Sequence, residues 1–209
     1  MALQTLPRYT FDDYLAVERK AIDEKHEYVA GRVYAMTGAS YNHNLIVANL
    51  SRRLGNQLEA RPCSVLTNDM RVRIETADAC KYPDVVALCE EPQFYDDRCD
   101  VLLNPILVIE VLSPSTEAYD RGGKFAVYRA LPCLREYVLV AQDRFSVEVF
   151  TRQPDDRWLL TAYSTPEDEV VFDSIRCQIA LREIYDKVQS IIEVRHDELR
   201  HACEERVRG

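Results

Sequence analysis

Three residues of this chain have the types and order that phosphodiester hydrolysis requires. Asp84 follows Pro83 and opens the apolar run Val85-Val86-Ala87-Leu88. Glu110 lies inside a second apolar run, Ile106 to Leu112, where an ionised carboxylate is costly unless it is paired or bound to a metal. Lys124 follows, with Tyr128 four residues later on the same face of an expected helix. Two carboxylates on neighbouring buried strands can each give an oxygen to a hard divalent cation, Mg2+ or Mn2+, and water activated there attacks phosphorus. The backbone carbonyl of Val111 is a candidate third metal ligand. Glu27 is a candidate further acid, with Glu24 as its competitor. The Lys124 ammonium would polarise the water or stabilise charge building on the phosphate. Each residue also has a plainer role: a turn aspartate, a glutamate ion-paired to an arginine, a lysine at a helix start.

The elements that must position these residues follow from periodicity. Thr10 and Asp13 read as a cap for a helix ending near Ile22, with Phe11, Tyr14 and Leu15 on its apolar side. Tyr28-Val29 and Val33 to Met36 flank Ala30-Gly31 as a β-hairpin. A helix is expected over 41–60, then strands near 70–75, 82–88 and 106–112. The stretch 113–123 is read as turns, because Gly122-Gly123 disfavours a helix, with Asp120 capping a helix that starts at Lys124. A β meander over 136–163, a short strand and a helix near Leu181 follow. The fold class is α/β (α+β): residues 1–185 form the domain, and 186–209 form a helical tail with an apolar strip suited to packing on the body or on a second subunit.

Composition is ordinary for a globular chain of 209 residues, 47% hydrophobic and 29% charged. No run approaches the roughly 18 apolar residues of a membrane span, and the first residues do not read as a signal peptide, so a cytoplasmic protein is expected. Seven cysteines contain no CxxC pair and read as reduced thiols. The four histidines do not join cysteines at zinc spacing, His201 and Cys203 being the nearest approach. A net charge of -9 argues against phosphate binding unless charge is segregated, with Arg52, Arg53, Arg71, Arg73, Arg121, Lys124 and Arg129 gathered round the site.

Glu27-Tyr28 with Gly31, His43, Pro83-Asp84, the string Val108 to Thr116, Asp120, Lys124, Tyr128 and Glu136-Tyr137 together resemble the Uma-two family of bacterial restriction-endonuclease-like proteins, from about residue 10 to about 185. The resemblance implies the PD-(D/E)XK nuclease fold, a mixed central sheet flanked by helices with metal-binding acids at its opening. It implies a metal-dependent endonuclease acting on nucleic acid, expected to be DNA; a homodimer is expected because many nucleases cut two strands as dimers and the tail offers an apolar strip. One departure stands out: the family pattern of such nucleases places lysine two residues after the second acid, where this chain has Leu112. Lys124 would supply the ammonium from the next helix. His43 either joins the site or hydrogen-bonds within the core, and the second is favoured. The rival reading is an inactive nuclease-fold module that binds nucleic acid or a protein partner. A hydrolase of another phosphoester is the third.

Overall fold

Thr10 caps helix α1 (Phe11–Glu18), its hydroxyl accepting from the Asp13 amide while Asp13 accepts from the Thr10 amide. The computed structural model describes residues 8–191. The helix stops at Glu18, short of Ile22. Val17 and Ile22 are exposed and give no apolar face to extend, and Glu18 turns inward to accept from the His26 amide and the Tyr82 hydroxyl.

Strands β1 (His26–Val29) and β2 (Arg32–Ala35) form the expected hairpin. Ala30 and Gly31 both take positive φ, as a two-residue turn between right-twisted strands demands. Helix α2 (Tyr41–Leu58) follows, capped by Ser40 and burying Ile46, Val47, Leu50, Leu54 and Leu58. Next come β3 (Ser64–Thr67), β4 (Arg71–Ile74), β5 (Ala79–Lys81), β6 (Val85–Leu88), β7 (Val101–Leu102) and β8 (Leu107–Leu112). The meander β9 (Glu136–Ala141), β10 (Val147–Arg152) and β11 (Trp158–Tyr163) leads to the hairpin β12 (Glu169–Phe172) and β13 (Cys177–Ala180), and to helix α5 (Leu181–Ile184).

The strands divide between two main sheets. One has the order β11-β10-β9-β8-β6-β3, with β8 and β9 parallel and the rest antiparallel. The other has the order β2-β1-β5-β4-β7. Alternation along β6 and β8 sends Val85, Ala87, Leu107, Ile109 and Val111 to one core with α2, the β12–β13 hairpin and α5. Val86, Leu88, Val108 and Leu112 face a second core, shared with Val72 and Ile74 of β4 and with Tyr128 and Leu131. Helix α1 covers the outer face of the smaller sheet, packing Phe11, Tyr14 and Leu15 against Tyr28 and Cys80 of its strands.

The segment after β8 departs from the expected turns. Residues 117–128 are helical throughout: α3 (Glu117–Tyr119), a π turn over Asp120–Lys124 and α4 (Phe125–Tyr128). Gly122 and Gly123 therefore sit inside a helix. The wider π turn and the Tyr119 ring, which would lie 2.8 Å from a Cβ on Gly123, explain why glycine suits the second position. Asp120 accordingly makes no side-chain cap.

A second correction concerns the cysteines. Cys63 and Cys89 form a disulfide, because the β3–β6 pairing sets Ser64 opposite Leu88 and so brings the flanking cysteines together. Cys80, Cys99, Cys133 and Cys177 are free thiols. Of the helical tail expected over 186–209, residues 186–191 are turns and bends instead of helix, and the rest, with His201 and Cys203, lies outside the described residues. Among the described residues, no helix is long and apolar enough to cross a membrane. The C-terminal hairpin is anchored to the larger sheet by Glu136, 1% exposed, whose carboxylate accepts from the Asp173 and Ser174 amides at 2.9 and 3.0 Å and from the Ser174 hydroxyl.

Candidate active site

Asp84 and Glu110 meet because β6 and β8 are antiparallel neighbours. Val85 pairs with Ile109, so Asp84, one residue before β6, stands opposite Glu110. Asp84 Oδ2 accepts from the Val111 amide at 2.7 Å, and His43 Nε2, from the first turn of α2, lies 3.2 Å from the same oxygen. His43 therefore reaches the acids instead of only bonding within the core.

Glu110 is 2% exposed. Its Oε2 lies 2.7 Å from Lys124 Nζ, while its buried Oε1 has no hydrogen-bond partner. Burial pushes the Glu110 carboxyl well above its usual range; Lys124 opposes this, and Asp84 and Asp120 reinforce it. Burial disfavours the Lys124 ammonium, yet Glu110, Glu27 and Asp120 together outweigh that and raise its pKa well above normal, so it stays charged. Asp120 Oδ1 and Glu27 Oε1 each lie 3.7 Å from Lys124 Nζ. Burial also raises Asp120.

The π turn explains how a helical lysine reaches a strand carboxylate. It sets Asp120 and Lys124 side by side, buried, directly before α4. Leu112, at the position where the nuclease pattern has its lysine, is 3% exposed in the second core and takes no part in the ionic network.

Glu27 arrives from the smaller sheet. It is 8% exposed and holds Lys81 Nζ at 2.7 Å. Its competitor Glu24 lies apart, 3.7 Å from His26 Nε2, on an exposed side chain. Lys81, 1% exposed, also donates to the Tyr119 hydroxyl at 2.9 Å. Sequence reading had no role for Lys81; its signal was the Lys-x-Pro-Asp spacing before Asp84, which becomes meaningful only once β5 is paired with β1. Tyr128 adds a buried hydroxyl beside Glu110, its phenol pushed up by burial and then by that carboxylate.

Four carboxylates (Glu27, Asp84, Glu110, Asp120) thus face two ammoniums (Lys81, Lys124). This negative excess, with an unpartnered carboxylate oxygen on Glu110, fits a hard divalent cation. Among the described residues, no three His, Cys, Asp or Glu gather as a metal-holding group. A divalent cation that keeps several waters needs few protein ligands, so two carboxylates can hold one. Two surface clefts of about 340 and 240 Å3, by Leu15, Arg19 and Tyr95 and by Ala21, Asp69 and Arg71, contain none of Asp84, Glu110, Glu27 or Lys124.

The arginines expected to flank the site are engaged by carboxylates or an aromatic ring. Arg53 pairs with Glu183, Arg71 with Asp100, Arg73 with Asp78, and Arg121 with Glu117 and Glu148. Arg52 lies 3.9 Å from Asp186, and Arg129 lies over the Phe125 ring.

Comparison with known proteins agrees with this architecture. The chain is 36% identical over 176 residues to an uncharacterized protein of Synechocystis sp., sll1609, covering 84% of this chain and 99% of the relative. It is 36% identical over 179 residues to a second Synechocystis protein, slr1290, also uncharacterized, covering 86% and 92%. A crystal structure described as a putative nuclease belonging to DUF820, from Anabaena variabilis, superposes with a TM-score of 0.69 over 85% of this chain and 97% of that one, at 15% identity. The fold is thus that of a nuclease-like α+β protein, of a class whose members generally use divalent metals. Residues 11–182 match the model of the family Uma2, described as "Putative restriction endonuclease", and the chain belongs to that family.

Proposed function

We propose that this protein is a metal-dependent endonuclease that hydrolyses phosphodiester bonds of nucleic acid, with DNA as its substrate. The observation that carries this reading is Glu110: a carboxylate 2% exposed, with one oxygen on Lys124 and the other unpartnered, across the strand pair from Asp84. Glu110 Oε1 and Asp84 would hold Mg2+ or Mn2+. The Val111 amide points to Asp84, and strand geometry sends the carbonyl of the same residue to the same side, so it would be the third protein donor. When bound, such an ion lowers the pKa of water and neutralises phosphate charge.

The remaining roles belong to the chain itself. Lys124 stays cationic and is placed to stabilise negative charge as the water oxygen bonds to phosphorus and the ester oxygen leaves. Glu27 and Asp120 hold that ammonium, and Lys81 in turn holds Glu27. His43 fixes the Asp84 carboxylate. Asp84→Ala is expected to abolish Mn2+-dependent cleavage of DNA. A wild-type protein that cleaves no form of DNA or RNA with either metal would sink the reading, and calorimetric titration with Mn2+ then separates a metal-binding site from a module that only binds partners.

A further inference from the structure

The face of the smaller sheet that carries Glu27 continues outward into exposed aromatic surface. Glu27 pairs with Tyr34 across β1 and β2, and cross-strand partners project to one face. Tyr28 pairs with Cys80, so Lys81 stands opposite Glu27 on that face, and Val72 pairs with Lys81 beyond it. The row therefore runs from exposed Tyr34 through a buried ion pair into the second core. Tyr34 is 48% exposed, on an edge strand whose four residues are all exposed.

A second tyrosine flanks the same ion pair. Tyr119 accepts from Lys81 Nζ, its ring lies 5.2 Å from that ammonium, and its edge sits against Gly123. It is nevertheless 43% exposed. Its ring is thus held in place while part of its surface stays open. A tyrosine fixed by its hydroxyl beside a hydrolytic site is suited to receive a planar partner. Of the cations expected to grip phosphates, Arg53, Arg71, Arg73 and Arg121 are instead engaged by carboxylates, and the protein's net charge is -9. Affinity from phosphate neutralisation is weak on such a surface, whereas stacking needs no net positive charge and only an unpaired base.

We propose that Tyr34 and Tyr119 are base-stacking platforms and that the substrate enters the site as a single strand with unpaired nucleobases. This rests on the nuclease reading for what happens next, but the binding it describes is separately measurable. The ligand chemistry is the exposed face of an unpaired base, from DNA or RNA.

The test is fluorescence anisotropy with the full chain in EDTA, where no metal-dependent cleavage occurs, using labelled oligo(dT), oligo(U) and an oligo(dT)·oligo(dA) duplex. The single strands are expected to bind more tightly than the duplex, and the two single-strand arms show which sugar is preferred. Tyr34→Ala and Tyr119→Ala should each weaken single-strand binding by about 5- to 100-fold. Tyr34→Phe and Tyr34→Trp should retain it, which separates stacking from misfolding. The proposal is overturned if the duplex binds as tightly as the single strands, if the alanine variants bind them like wild type, or if Tyr34→Phe loses as much as Tyr34→Ala. Parallel assays with Mn2+ separate the two claims. Single-strand binding without cleavage removes the nuclease reading and leaves the platform; duplex cleavage indifferent to both tyrosines removes the platform and leaves the nuclease.

Discussion

Two ionic clusters in this molecule each set carboxylates against cationic side chains and behave in opposite ways. At the edge of the smaller sheet, Arg19 grips Asp96 with two bonds of 2.8 Å and also bonds Asp100, which Arg71 reaches at 2.9 Å. There the Arg19 hydrogen bonds hold Asp96 and Asp100 below the usual carboxylate range. Between the sheets, burial holds Glu110 and Asp120 above it, although Lys124 lies against both. The difference is solvation and donor supply. The outer acids keep water and gain a forked guanidinium, whereas the inner acids lose water and share one ammonium. The first arrangement holds chain segments together; the second keeps carboxylates under-satisfied, which suits them to receive a cation.

Breaking each cluster should give opposite readouts. Glu110→Gln is expected to lower metal-dependent cleavage by about a hundredfold or more while thermal stability holds or rises, since a buried charge is removed and Lys124 keeps Glu27 and Asp120. Arg19→Gln should do the reverse, leaving cleavage near wild type and lowering the melting temperature by about 2 to 4 °C, a modest figure because its partners are partly exposed. Equal loss of cleavage in both variants would erase the distinction.

The pH dependence carries the same contrast with opposite sign. Asp100 has a folded pKa below its ordinary 3.8, so its contribution is present above that value and fades as pH falls through the folded one. Glu110 has a folded pKa above its ordinary 4.5, so its contribution is present below that value and fades as pH rises. Thermal melts across acid to neutral pH should therefore show Arg19→Gln losing part of the acid limb of the wild-type curve, and Glu110→Gln gaining on wild type as pH rises above 4.5.

The smallest expected effect compares two adjacent glycines. A Cβ on Gly122 meets nothing within 4 Å, so Gly122→Ala should stabilise by about 0.5 to 1 kcal/mol in denaturant unfolding. A Cβ on Gly123 would lie 2.8 Å from Tyr119, so Gly123→Ala should displace that ring and cancel the gain. Equal stabilisation by both would show that the ring gives way freely.

Sequence carried the two acids because each borders or interrupts a buried run, and a charge in such a run needs a reason. Lys124 was legible from its order after them, though not its route: paired glycines look like a helix break, and only the π turn with Tyr119 packed on Gly123 accommodates them. Lys81 was hidden because its partner Glu27 is 54 residues away and the strand that carries it has three residues. The same non-locality hid the Cys63–Cys89 bond, which depends on the pairing of β3 with β6, and β3 itself has exposed ends and a half-buried middle without alternation.

Glu136 sets a limit on how small this protein can become. It sits at the start of β9, opposite Leu107 at the start of the Glu110 strand, and the hydrogen bonds recorded for its buried carboxylate come from Asp173 and Ser174. A chain shortened before residue 173 would leave a buried carboxyl group in the base of the central sheet with those donors gone, beside the strand that carries Glu110. The terminal hairpin is therefore a working part of the nuclease-like core, and a minimal version of the protein has to run past it.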